Sequence, residues 1–72
     1  MIVPEARISR IEKYFDKDIP KELKLNEYAY IHDLRHYINS LILGVRHAKT
    51  EKMAELYIEK LNEVKNKLEN TI

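Results

Sequence analysis

Apolar residues return every three or four positions along most of this chain, the spacing that lines one face of a helix. Ile8, Ile11 and Phe15 carry the pattern first, with Glu5, Arg7, Arg10 and Lys13 between them. A short amphipathic helix is predicted over about 4–17. Pro4 suits its first turn, where a backbone N–H has no intrahelical partner to lose. The stretch DKDIPKELKLN interrupts the pattern. Pro20 is tolerated only in the first turn of a following helix, and Asp18 or Asn26 is placed to cap one.

The pattern then resumes at Ile31, Leu34, Ile38, Leu41, Val45 and Ala48, in steps of 3, 4, 3, 4 and 3. That is an a/d seam sustained for more than two heptads. Leu25, Tyr28 and Ile42 widen it, so a long helix is predicted over about 22–47. Gly44 lies inside it at a cost of ~1 kcal/mol relative to Ala, and permits either close helix packing or a bend. The segment HAKTEK breaks this helix. Thr50 is placed as an N-cap, with Glu51 favoured by the helix dipole. A last helix is predicted over about 51–70. Ala54, Tyr57, Leu61, Val64 and Leu68 form its stripe, and Met53, Leu56 and Ile58 broaden the start.

The expected fold is all-α, a single helical domain over 1–72. It has a short N-terminal helix and an antiparallel hairpin of two long helices joined by a short turn. One hairpin leaves half of each apolar stripe wet. Two hairpins from two chains are therefore expected to close a homodimeric four-helix bundle, with the first helix capping one end or docked in a groove.

Composition narrows the class. A chain of 72 residues is one domain at most, and a single small core rarely supplies more than roughly 3–5 kcal/mol, so self-association is a natural staple. Without cysteine there is no disulfide and no thiolate metal site. The 44% apolar and 35% charged content fits a folded helical protein. Thirteen basic residues against twelve acidic, a net charge of +1, argue against a nucleic-acid coat or a polybasic membrane anchor. No apolar run reaches the ~20 residues of a membrane span. The start, MIVPEARISR, lacks the apolar core of a signal peptide. A complete small cytoplasmic protein is the expectation, with no cofactor.

Candidate chemistry sits in YIHDLRHYINSLI, residues 30–42. With Ile31 at a and Leu34 at d, His32, His36 and Asn39 fall on an outward stripe. Four readings of that stripe are open. It is an ordinary solvated face; or His32 and His36, one turn apart, chelate a metal, for which two histidines are too few for a closed zinc site. A third is contact with nucleic acid through Arg35, His36, Arg46 and His47, joined by Arg7 and Arg10; the interleaved acids and small net charge argue against it. The fourth is a nucleophilic histidine, because an exposed neutral imidazole attacks phosphoryl groups and an adjacent carboxylate, here Asp33, orients it. Tyr30 and Tyr37 fall at g positions beside the seam, and tyrosine is favoured in protein contacts.

The stretch HDLRHYINSLILGVRHAKTEKMAELYIEKLNEV resembles the dimerisation and histidine-phosphotransfer hairpin of sensor histidine kinases. It is most similar to the branch of sporulation-type phosphotransferases and quorum-sensing kinases. His32, Asp33, Arg35, His36 and Ile38 match the motif around the phosphoacceptor. Leu34 stands where that motif has an aromatic, and His36 where it has an asparagine. The resemblance implies His32 as phosphoacceptor and Asp33 as the assisting carboxylate. It implies Arg35, His36 and Asn39 flanking the phosphoryl group or touching a response-regulator or kinase partner. With one glycine there is no phosphate-cradling loop, so such a protein would receive phosphate rather than take it from ATP.

The reading that needs least is a small helical interaction or regulatory protein, dimeric, that binds a partner protein through Tyr30, Arg35, His36, Tyr37 and Asn39. Histidine phosphotransfer at His32 is the alternative, and nucleic-acid binding a weaker one.

Overall fold

The computed structural model describes residues 2–70. Met1, Thr71 and Ile72, the ends of the domain expected over 1–72, lie outside the described residues. Three helices and one β-hairpin follow in the order α1 (Glu5–Phe15), β1 (Leu23–Asn26), β2 (Ala29–Ile31), α2 (Leu34–Arg46) and α3 (Glu51–Asn70).

This overturns the all-α expectation and with it the long-helix hairpin. The segment predicted as the first half of a helix over 22–47 is instead an antiparallel hairpin, and the helix begins only at Leu34. The physical reason is visible in the residues. Leu23 and Leu25 alternate with Lys24 and Asn26, and Ala29 and Ile31 flank Tyr30, a period of two rather than 3.6. Leu23 is buried, Leu25, Ala29 and Ile31 are half-buried, and Lys24 and Tyr30 point out. Tyr28, which was to widen a helical stripe, sits at the hairpin turn and is 93% exposed.

The register pairs Leu23 with Ile31, Lys24 with Tyr30 and Asn26 with Ala29, with a break between Lys24 and Asn26. Asn26 Oδ1 accepts the Tyr28 N–H at 2.8 Å and so closes the turn. No described residue has a positive φ, so the turn is not of the primed types that match strand twist unaided. The bulge at Leu25 is where the mismatch is taken up.

Asp33 then starts α2. Its backbone is extended, and its carboxylate accepts the His36 N–H at 3.1 Å. The Leu34 N–H reaches back to the Lys21 carbonyl at 2.7 Å and pins this helix start to the entry of the hairpin. At α3 the same role falls to Thr50, whose Oγ1 accepts the Met53 N–H at 3.1 Å. Helix α1 opens on the Pro4 carbonyl, which accepts from Arg7 and Ile8.

One core runs through the molecule. Ile8 and Phe15 of α1, Leu23 of β1, Leu34, Ile38, Leu41 and Val45 of α2, and Ala54, Ile58, Leu61, Val64 and Leu68 of α3 are buried, together with Val3. The main packing is α2 against α3, with α1 laid on α2 and β1 leaning on α3. Helix α1 and the hairpin therefore cover the apolar stripes that were expected to need a second chain. The four-helix bundle falls for that reason: the core is completed within one chain.

Gly44 faces α3 so closely that a Cβ there would stand 3.0 Å from ring carbons Cε1 and Cζ of Tyr57. Its role is close packing. The ring of Tyr57 lies over it half-buried, and Ile58 takes the core position.

Candidate functional site

The residues singled out in the sequence do not share one surface. His32 and Asp33 form the two-residue link between β2 and α2, so neither lies on the seam-bearing helix. The His32 imidazole is exposed and rests on Tyr30, with ring centroids 4.8 Å apart and planes tilted by 56°. Tyr30 in turn donates its hydroxyl to Glu22 Oε2 at 2.5 Å. That bond, then burial, then the Glu22 charge push the Tyr30 phenol above its ordinary pKa. Asp33 Oδ1 accepts the His36 N–H, as a cap requires.

Arg35 reaches back to the end of α1. Its guanidinium donates to the carbonyls of Phe15 at 2.7 Å and Lys17 at 2.8 Å. It thus satisfies acceptors left open at the end of α1. His36 and Asn39 are exposed on α2, and Asn39 borders a shallow cleft against α1 with Glu12 and Ile42. Tyr37 is half-buried on the core. It lies about 200° around the helix from Asn39, on the opposite side. Among the described residues no three His, Cys, Asp or Glu side chains are gathered where they could hold a metal ion. None of the described helices is long and apolar enough to cross a membrane.

Arg46, assigned in the sequence to a basic surface, is also engaged. It pairs with both carboxylate oxygens of Glu5, at 2.8 and 2.7 Å, and with Glu12. This clamp ties the end of α2 to both ends of α1, and the Glu5 hydrogen bonds hold the guanidinium protonated beyond its ordinary range.

Two surfaces that sequence reasoning missed are better formed. The first is the outer face of α3, where Met53 and Leu56 are 43% and 52% exposed, flanked by Lys52, Glu55 and Glu59. The second is an open groove of about 410 Å³ between α1 and α3. Ile11, Phe15, Ile58 and Leu61 form its apolar floor, and Arg7, Arg10 and Lys65 stand along it. Tyr14, also in the groove, has the Lys17 ammonium 4.1 Å from its ring centroid and that of Lys65 4.8 Å away. Its hydroxyl donates to Glu69 at 2.9 Å; burial, then that bond and charge, push its phenol up. The i, i+3 spacing of Arg7 and Arg10 was legible. That a groove lies beside them depends on where α1 docks, which no local pattern states.

A family model described as a domain of unknown function (DUF6965) matches residues 6–70. No curated protein matches the chain. No solved structure matches it.

Proposed function

The chain belongs to the DUF6965 family, and from that premise we propose that it is a small interaction module that pairs with a second copy of itself through the outer face of α3. The carrying observation is Met53 and Leu56, exposed side by side on a helix whose other apolar residues are buried or half-buried. Two adjacent apolar side chains rimmed by charges offer a small apolar area that a second chain can cover.

The charges around them favour a second copy as the occupant. Lys52 and Glu59 are seven residues apart, so they share one flank of α3. In an antiparallel pair of α3 helices related by a two-fold axis beside Leu56, Lys52 of each chain faces Glu59 of the other. Self-complementarity of this kind is what a two-fold contact demands. Each chain keeps its own completed core, so the pairing is a surface contact rather than a shared bundle.

For phosphotransfer at His32, Asp33 has one carboxylate oxygen engaged in capping α2, and Arg35 is held by the carbonyls of Phe15 and Lys17. The interaction reading needs neither residue for chemistry.

Sedimentation equilibrium tests it. The wild-type chain, 8.6 kDa, is expected at about twice that mass. Met53→Glu with Leu56→Glu should give the single-chain mass and a cooperative thermal melt that no longer depends on protein concentration, because both positions are exposed and only the pairing contribution is lost. A wild-type chain that stays at single mass at every concentration, or a double variant that still pairs, rejects the proposal.

A further inference from the structure

The groove between α1 and α3 carries an inference about a different partner. We infer that it binds an acidic amphipathic helix of another protein, apolar side inward and carboxylates toward Arg7, Arg10 and Lys65. This rests on reading the chain as an interaction module, but not on its pairing through α3.

The floor has the right period. Ile11 and Phe15 are one turn apart on α1, and Ile58 and Leu61 one turn apart on α3. Phe15, Ile58 and Leu61 are closed over in the core, so the apolar surface offered to an amphipathic helix is Ile11 with the ring of Tyr14 one turn on, along α1. The groove is open along its length, with a volume of about 410 Å³.

The charge fixes the sign of the occupant. Arg7 and Arg10 on one wall and Lys65 on the other form no ion pair among the described residues, nor does Lys17 above Tyr14. By contrast Arg46, on the far side of α1, is fully matched by Glu5 and Glu12. Glu69 already accepts the Tyr14 hydroxyl, and Glu51 and Glu55 share the adjoining cleft with Arg7 without pairing with it. The cations are spread along two walls rather than gathered at one point. That arrangement suits a row of carboxylates better than one anionic headgroup, and it leaves a basic helix repelled.

The experiment is a fluorescence-anisotropy titration of the full chain with three labelled helical peptides. One carries leucines at i, i+3, i+4 and i+7 with glutamates on the flanks; one has those glutamates replaced by lysines; one keeps the acidic composition in scrambled order. The first should saturate, weaken as salt rises, and bind at least roughly tenfold more tightly than the other two. Arg7→Glu with Arg10→Glu should raise its midpoint about tenfold or more. Lys65→Glu, on the opposite wall, should weaken it independently, which keeps the test decisive if the double variant does not fold. The Met53→Glu, Leu56→Glu protein should bind the peptide like wild type, so loss of pairing and loss of groove binding are read separately. Equal binding of all three peptides, binding of none, or indifference to both sets of substitutions overturns the inference. Flotation with phosphatidylglycerol vesicles that is lost in the Arg7, Arg10 variant, without peptide binding, assigns the groove to a lipid surface and overturns it as well.

Discussion

Asp33 shows how a single residue can carry two readings that differ only by where a helix begins. Beside His32 it is the carboxylate a nucleophilic imidazole would use. Ahead of Leu34 it is an N-cap, and the extended backbone with its bond to the His36 N–H is the geometry of a cap. Both readings were open in the sequence, because Asp immediately before the first periodic apolar residue is a start signal. Ile31 fits the heptad steps and Leu25 and Tyr28 extend the stripe, so the helix predicted from about 22 starts about twelve residues ahead of the observed one. Asp33→Ala should therefore lower stability by about 1 kcal/mol, within the roughly 0.5–2 kcal/mol seen for lost caps, in a denaturant titration. An unchanged midpoint would mean that the cap contributes nothing. Arg35 was beyond sequence reasoning, since nothing local says that its guanidinium will meet carbonyls 20 and 18 residues earlier.

At the scale of elements, α1 and α3 were legible, the second helix only over the later half of its expected span, and the hairpin was not. Stripes such as Leu34, Ile38, Leu41 and Val45 keep their helical period and are buried as that period requires. The strands are four and three residues long. At that length a period of two is hard to separate from the edge of a helical stripe. What decides the matter is tertiary: Leu23 has a place in the core, and the turn is closed by Asn26.

Packing between elements makes its own predictions. Gly44→Val forces two methyl groups against the Tyr57 ring and should cost about 1–3 kcal/mol in thermal or chemical unfolding. A neutral or stabilising result would show that α2 and α3 are not in such close contact. Two tyrosines also join elements, Tyr14 from α1 to Glu69 of α3 and Tyr30 from β2 to Glu22 just before β1. Both phenols are raised above their ordinary value near 10 in the folded state. Between that value and the folded one the unfolded chain has lost the proton and the folded chain still holds it, so stability falls as pH rises. These contributions are whole below pH about 10 and are lost as pH rises through the raised folded values. Melting curves taken from neutral pH upward should fall more steeply for wild type than for Tyr14→Phe with Tyr30→Phe; parallel curves would show that the two bonds do not form.

For the whole molecule, the decisive fact is that one chain closes its own core. The expectation of a shared bundle followed from counting two apolar stripes and one small helix. It gave that helix too little to do: α1 buries Ile8 and Phe15, and the Arg46 clamp holds it on α2. With the interior satisfied, the side chains left outside become informative, and Met53 and Leu56 are read as a surface that meets its own copy.

Because the chain has no cysteine, Leu56→Cys introduces a single reporter at the proposed two-fold axis. Under mild oxidation it should form a disulfide-linked dimer quickly and nearly completely, while Tyr28→Cys, on the exposed hairpin turn, should react slowly. Equal rates for the two variants, or faster linkage through Tyr28→Cys, would contradict pairing through α3.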